Sequence, residues 1–179
     1  MKKNTLSLDA ETNGLRGRAF CIGAILYGPD GKETQRFIGR CPIRGKTSDW
    51  VAKNVIPQIR EIKVTHKSYK SLLRDFASFY VENKDTADVV VHMGCPVETK
   101  IFDDMYDFGF IGEWDNPYPL LDISGNLEQV GEDPLSVDSY VQKYNLSVGE
   151  FQGGTHNPLY DAAAAAEVRF HLKSRISET

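Results

Sequence analysis

The chain opens on a period of two. Leu6 and Leu8 fall on one side of the stretch from residue 5, and Ser7, Asp9 and Glu11 on the other, the alternation of a strand with one buried face. That strand breaks at Asn13-Gly14, a turn-forming pair. Residues 19–27, Ala-Phe-Cys-Ile-Gly-Ala-Ile-Leu-Tyr, predict a second, buried strand. Gly28-Pro29-Asp30-Gly31 predicts a hairpin turn, and residues 32–40 a third, antiparallel strand. Ser48 or Asp49 can cap a short helix carrying Trp50, Val51, Val55 and Ile56 and ending near Pro57. Leu72, Leu73, Phe76, Phe79 and Tyr80 recur at helical spacing and predict a helix over 68–83.

Further on, residues 88–92, with Val89–Val91 at their centre, read as a short strand of the kind buried in parallel sheets. Gly94-Cys95-Pro96 starts another helix, with Pro96 in its first turn. Residues 119–123 read as a fifth strand, and 136–145 as a helix with Tyr140 and Val141 inward. Asn157-Pro158 opens a last helix through Ala162–Ala166 to about Lys173. A meander followed by alternating helices and strands predicts an α/β fold with a mixed sheet. The 179 residues suggest one domain spanning 1–179.

Asp9 and Glu11 leave the same strand face side by side. Two carboxylates that close repel each other unless a cation sits between them, and oxygen pairs of this kind suit a hard divalent ion. A solvated strand end with two acids is the plain alternative. Composition places the chain among ordinary globular proteins, with 41% hydrophobic and 26% charged residues. No apolar run approaches the roughly 20 residues that span a bilayer, and no apolar signal-peptide core follows the N-terminus. Cys21, Cys41 and Cys95, an odd number without tight spacing, argue against a disulfide framework or a zinc site and fit a cytoplasmic setting.

The net charge of −4 is unevenly spread: residues 32–74 carry eleven cations and three acids, +8, and the remainder carries −12. A basic segment beside an acidic one suits a phosphate backbone approaching a carboxylate-lined site, although a solvated basic face has the same charge.

The last helix holds a second cluster, Thr155-His156-Asn157-Pro158-Leu159-Tyr160-Asp161. Asp161 shares a stripe with Ala165, Val168 and Leu172, so it faces inward, which is costly for an aspartate unless it is paired or bound to metal. His156 sits just before the helix, in a loop with Gly153 and Gly154. Either residue alone reads as a capping aspartate or a surface histidine; the pair at this spacing reads as a site.

Asp-x-Glu on the first strand followed by Thr-Asn-Gly-Leu, with His-x4-Asp late in the chain, resembles the DEDDh (DnaQ-like) 3′→5′ exonucleases of the ribonuclease-H-like fold. The order and spacing cover most of the chain. Trp50-Val-Ala-Lys-Asn-Val-Ile-Pro57 further resembles the RNase AS-like branch of exoribonucleases. The family places an aspartate on the helix after the fourth strand, and here the chain departs from it. Glu98 shares a stripe with Ile101, Phe102 and Met105 and points inward; Asp103, rotated by roughly 140°, faces away. Glu98 is therefore expected in the aspartate's place, with Asp103 the next candidate.

The resemblance implies two Mg²⁺ or Mn²⁺ ions on Asp9, Glu11, Glu98 and Asp161, with Asp9 bridging both, and His156 as general base. It implies that Thr12, Asn13, Gly14 and Leu15 hold the terminal nucleotide. The expected substrate is the 3′ end of single-stranded RNA, more than DNA. A homodimer is suggested by similar enzymes. Trp50, Tyr69 and Phe110 are candidate stacking platforms, with the core as their more common place. Leu15 is balanced between wedge and core. His66 and His171 read as surface residues, and His92 as buried and hydrogen-bonded. Asp122 can orient a group near the site or cap a helix from Ser124. Two other readings account for parts of the pattern: a nucleic-acid-binding module that has lost catalysis, and a metal-free acid/base hydrolase using Asp9 and Glu11.

Overall fold

The structure, a computed structural model, describes residues 3–177. Three antiparallel strands come first, β1 (Asn4–Thr12), β2 (Ala19–Tyr27) and β3 (Glu33–Arg40). Helices α1 (Asp49–Asn54) and α2 (Tyr69–Asn83) lead to β4 (Ala87–Val91). Then follow α3 (Val97–Asp107), β5 (Leu120–Asp122), α4 (Ile123–Gln129), α5 (Val137–Tyr144) and α6 (Pro158–Ser177). The sheet order is β3-β2-β1-β4-β5, with β1, β4 and β5 parallel. This is the ribonuclease-H-like arrangement: a mixed five-stranded sheet, antiparallel meander first, flanked by helices.

The alternation in β1 sorts its side chains between two layers. Leu6, Leu8 and Ala10 join the core beneath α2 and α3, together with Phe20, Ile22, Phe76 and Ile101. Ser7, Asp9 and Glu11 turn to the opposite face, where α6 packs across β1 and β2. The last helix is more deeply buried than a one-sided stripe predicts. All of Ala162–Ala166 are inaccessible, because α6 is enclosed by the sheet on one side and by α5 on another. Gly23 on β2 makes the approach possible: a methyl there would lie 2.6 Å from the Pro158 carbonyl carbon.

Most boundaries follow the sequence pattern. Ser48, Ser68 and Ser136 cap α1, α2 and α5 through side-chain acceptance. Three features differ. Pro96 occupies the cap position ahead of α3 rather than its first turn, α1 ends at Asn54, and α4 is a helix the apolar spacing does not announce. The histidines also differ. His66 is largely covered, bonded to Thr65 and Asp75, and His171 is bonded to the Tyr140 hydroxyl at 2.9 Å beside Tyr144. Each is a hydrogen-bonded packing residue, not a surface one. His92 is half-buried and bonded to the Pro134 carbonyl, as expected. Among the described residues no helix is long and apolar enough to cross a membrane.

Candidate active site

The order of strands fixes where the chain can hold a ligand. It moves outward from β1 to β2 and β3, then returns to the other side of β1 for β4. At such a reversal the carboxyl ends of neighbouring strands part and leave a crevice. The β1–β4 ladder ends at Ser7 and Val90. Beyond it Asp9 and Glu11 emerge, and a bulge between Glu11 and Thr12 adjusts the aim of the strand end.

Glu98, only 3% exposed in the first turn of α3, reaches the same point. Its Oε1 accepts the Ala10 backbone N–H at 3.1 Å. Asp103 is exposed on the outer side of α3. Asp161 comes from the first turn of α6, and its Oδ2 accepts the His156 backbone N–H at 2.8 Å. His156 has φ +69°, a left-handed conformation uncommon for a side-chain-bearing residue. Its Nδ1 lies 3.9 Å from Glu11 Oε1. Donor atoms of Glu11, His156 and Asp161 all come within 4.8 Å of one another.

The four acids are electrostatically frustrated. Burial pushes Asp9 up to about 7. Burial, and then Asp9, Asp161 and Glu98, push Glu11 up to about 10. Glu98 and Asp161 are raised well above the carboxylate range by burial and by Asp9, despite the N–H groups that favour their charged forms. Asp9 thus acts on all three others. Crowded, half-dry carboxylates either hold protons or share cations. An all-oxygen donor set fits Mg²⁺ or Mn²⁺. Burial lowers the pKa of His156 against the opposing pull of Asp138, which favours the neutral imidazole.

These groups line a cavity of about 610 Å³, with Thr12, Gly14, Leu15, Ser48, Trp50 and Met93 on its rim. Leu15 is 70% exposed there, so it is not core. Trp50 is 58% exposed and meets the His156 ring edge-on at 5.2 Å, against the expectation of a core residue. Tyr69 does belong to the packed interior, and Phe110 is half-buried against it. Asn13 turns its side chain away from the cavity. It donates to the Lys46 carbonyl and accepts the Ser48 N–H, tying α1 to the turn after β1. Gly14, at φ +85°, makes that turn. Arg44, Lys46 and Lys53 are exposed in the bordering segment, whereas Arg40 is spent on the Ile59 and Ile62 carbonyls.

Two acids play parts the sequence left open or unmarked. Asp122 does both jobs considered for it: it caps α4 through Ser124 and takes the N–H groups of Met93 and Gly94. Burial pushes its pKa up, but these bonds outweigh burial and hold it low. Asp138 accepts the Thr155 hydroxyl at 2.6 Å and the Tyr160 hydroxyl at 2.9 Å, bracketing His156. In sequence it is an ordinary first-turn acid, with no signal to single it out.

No protein-family model matches the chain, and no curated protein matches it. Among solved structures it is similar to exonuclease X in complex with 5′ overhanging duplex DNA. The TM-score is 0.60 over 98% of this chain and 94% of that one, at 17% identity. At that identity the likeness is one of fold, and the fold it shares is the ribonuclease-H-like sheet with helices on both faces.

Proposed function

We propose that residues 1–179 form one metal-dependent 3′→5′ exonuclease domain that removes nucleotides from single-stranded ends. The observation that carries this is the meeting of Asp9, Glu11, Glu98 and Asp161, from three separate elements, beside His156 in an open cavity. The fold likeness to an exonuclease in complex with DNA supports the same reading.

Asp9, Glu11, Glu98 and Asp161 would hold two Mg²⁺ or Mn²⁺ ions. Bound there, such ions lower the pKa of water and offset charge on the reacting phosphate. His156 accepts the proton of the attacking water at the ring nitrogen facing Glu11. The water oxygen bonds to phosphorus as the bond to the 3′ oxygen of the preceding nucleotide breaks. That oxygen takes up a proton, and a nucleoside 5′-monophosphate leaves. Thr12, Gly14 and Leu15 contact the terminal nucleotide, Asn13 holds their loop in place, and Trp50 offers a stacking face beside His156.

RNA is the first substrate to test, because residues 50–57 resemble the RNase AS-like branch; DNA is the second, because the fold neighbour holds DNA. A cytoplasmic location and a homodimer belong to the same reading. Matched 5′-labelled RNA and DNA oligomers with Mg²⁺ or Mn²⁺ should shorten from the 3′ end, and EDTA or Asp9→Ala should stop it. Salt-sensitive binding without shortening would instead make the chain a binding module.

A further inference from the structure

We propose that Met93 and Leu135 form a second base-holding lip, which takes the penultimate nucleobase of the strand whose terminal nucleotide is removed. This rests on the exonuclease reading and deepens it.

Four exposed large apolar side chains border the acidic cavity: Leu15, Trp50, Met93 and Leu135. Leu15 follows β1 and Trp50 follows β3, so both come from the meander half of the fold. Met93 follows β4 and Leu135 precedes α5, so both come from the other half. The acids of β1 emerge where the β1–β4 ladder stops, at the parting of the two halves.

The second pair is built into place. Met93 has φ +54°, a conformation rare for a non-glycine residue. Asp122 fixes that turn by accepting the N–H groups of Met93 and Gly94 at 3.1 and 2.9 Å. His92 bonds the Pro134 carbonyl at 2.9 Å, so the segment carrying Met93 is tied to the one carrying Leu135. Asp133 in turn holds the Leu135 N–H at 2.9 Å. Met93 is 48% exposed and Leu135 69%. Single exposed apolar groups need no explanation. Two of them, held at a cavity mouth by a left-handed residue and a hydrogen-bonded cross-tie, do.

The occupant follows from the chemistry. If the terminal nucleoside rests on Leu15 and Trp50 and its phosphate lies at the acids, the next nucleoside lies across the acids, on the other half. A base offers a flat apolar face, and thioether and isobutyl groups adapt to any base, so this lip tolerates every sequence.

The test compares single-stranded oligomers with a normal or an abasic penultimate position, in the sugar that the wild-type enzyme cuts. It reads kcat/KM for release of the first mononucleotide. The abasic oligomer should react about fivefold to tenfold more slowly, the low end of losses at base platforms because no ring is involved. Met93→Ser/Leu135→Ser should cut the normal oligomer at that slower rate and show no further loss on the abasic one. Both side chains are exposed, and either single substitution carries the comparison if the double variant fails to fold. Equal rates on the two oligomers, or an undiminished abasic penalty in the variant, overturn the lip alone. A wild-type dimer that the substitutions convert to a monomer, with no change in the penalty, makes the patch an interface between copies instead. No mononucleotide from either oligomer removes the exonuclease reading and the lip with it.

Discussion

Glu98 on α3 holds the Ala10 backbone N–H of β1 at 3.1 Å, in the position a β4 partner would occupy had the ladder continued past Ser7. One carboxylate thus closes the orphaned strand edge and joins the acid cluster. Glu98→Gln keeps an oxygen for Ala10 but loses the charge. Turnover should fall about a hundredfold, the scale of removing one group that stabilises transition-state charge, with little change in melting temperature. Asp103→Ala should stay within about twofold, as an exposed substitution. Comparable losses in the two variants would break the assignment of Glu98.

Metal-free protein should lose stability as pH rises. Asp9 at about 7 and Glu11 at about 10 hold protons in the folded state that the unfolded chain, with ordinary values of 3.8 and 4.5, has released. The stability these groups contribute is therefore full below about pH 4 and is lost as the pH rises from there through about 7 for Asp9 and about 10 for Glu11. His156, lowered below 6.5 by burial, works in the opposite sense between its folded value and 6.5. The melting temperature without metal should be higher at pH 5.5 than at pH 8, each kcal/mol shifting it by about 2–4 °C. Mn²⁺ should raise it more at pH 8, and Glu11→Gln should flatten the profile. A metal-free profile that rises to pH 8 would mean that the acids do not meet.

Gly23→Ala should damage the site from a distance. Its methyl would press on the Pro158 backbone, which cannot yield as a flexible side chain would, so α6 must shift, with Asp161 on it and His156 just ahead of it. Overpacking of this kind costs about 1–3 kcal/mol, readable in a urea midpoint, and activity should fall further than stability alone explains.

Asp138 brackets the His156 loop through Thr155 and Tyr160. Asp138→Ala should reduce kcat about tenfold with KM nearly constant, a smaller loss than the 10²–10⁴-fold expected for His156→Ala. A rise in KM with unchanged kcat would place Asp138 in substrate binding instead.

Trp50→Ala should weaken oligomer binding by about 1–3 kcal/mol and Leu15→Ala, which has no ring, by about 1 kcal/mol, each seen as a rise in KM, because both side chains stand at the cavity mouth rather than in the core.

The sequence by itself determined what depends on neighbours along the chain. The alternation of Leu6 and Leu8 with Asp9 and Glu11 set the faces of β1, and serine caps set three helix starts. The inward stripe of α3 separated Glu98 from Asp103, because helical rotation is a local property. The tertiary structure alone decided what depends on residues far apart. Trp50 reads as core by type, yet His156 and an open cavity lie beside it rather than a packed partner. Asp138, Asp122 and the Met93–Leu135 pair gain their roles only from segments brought across by the return of the chain to β4. Periodicity fixes which way a side chain points; only the packing of the layers fixes what waits there.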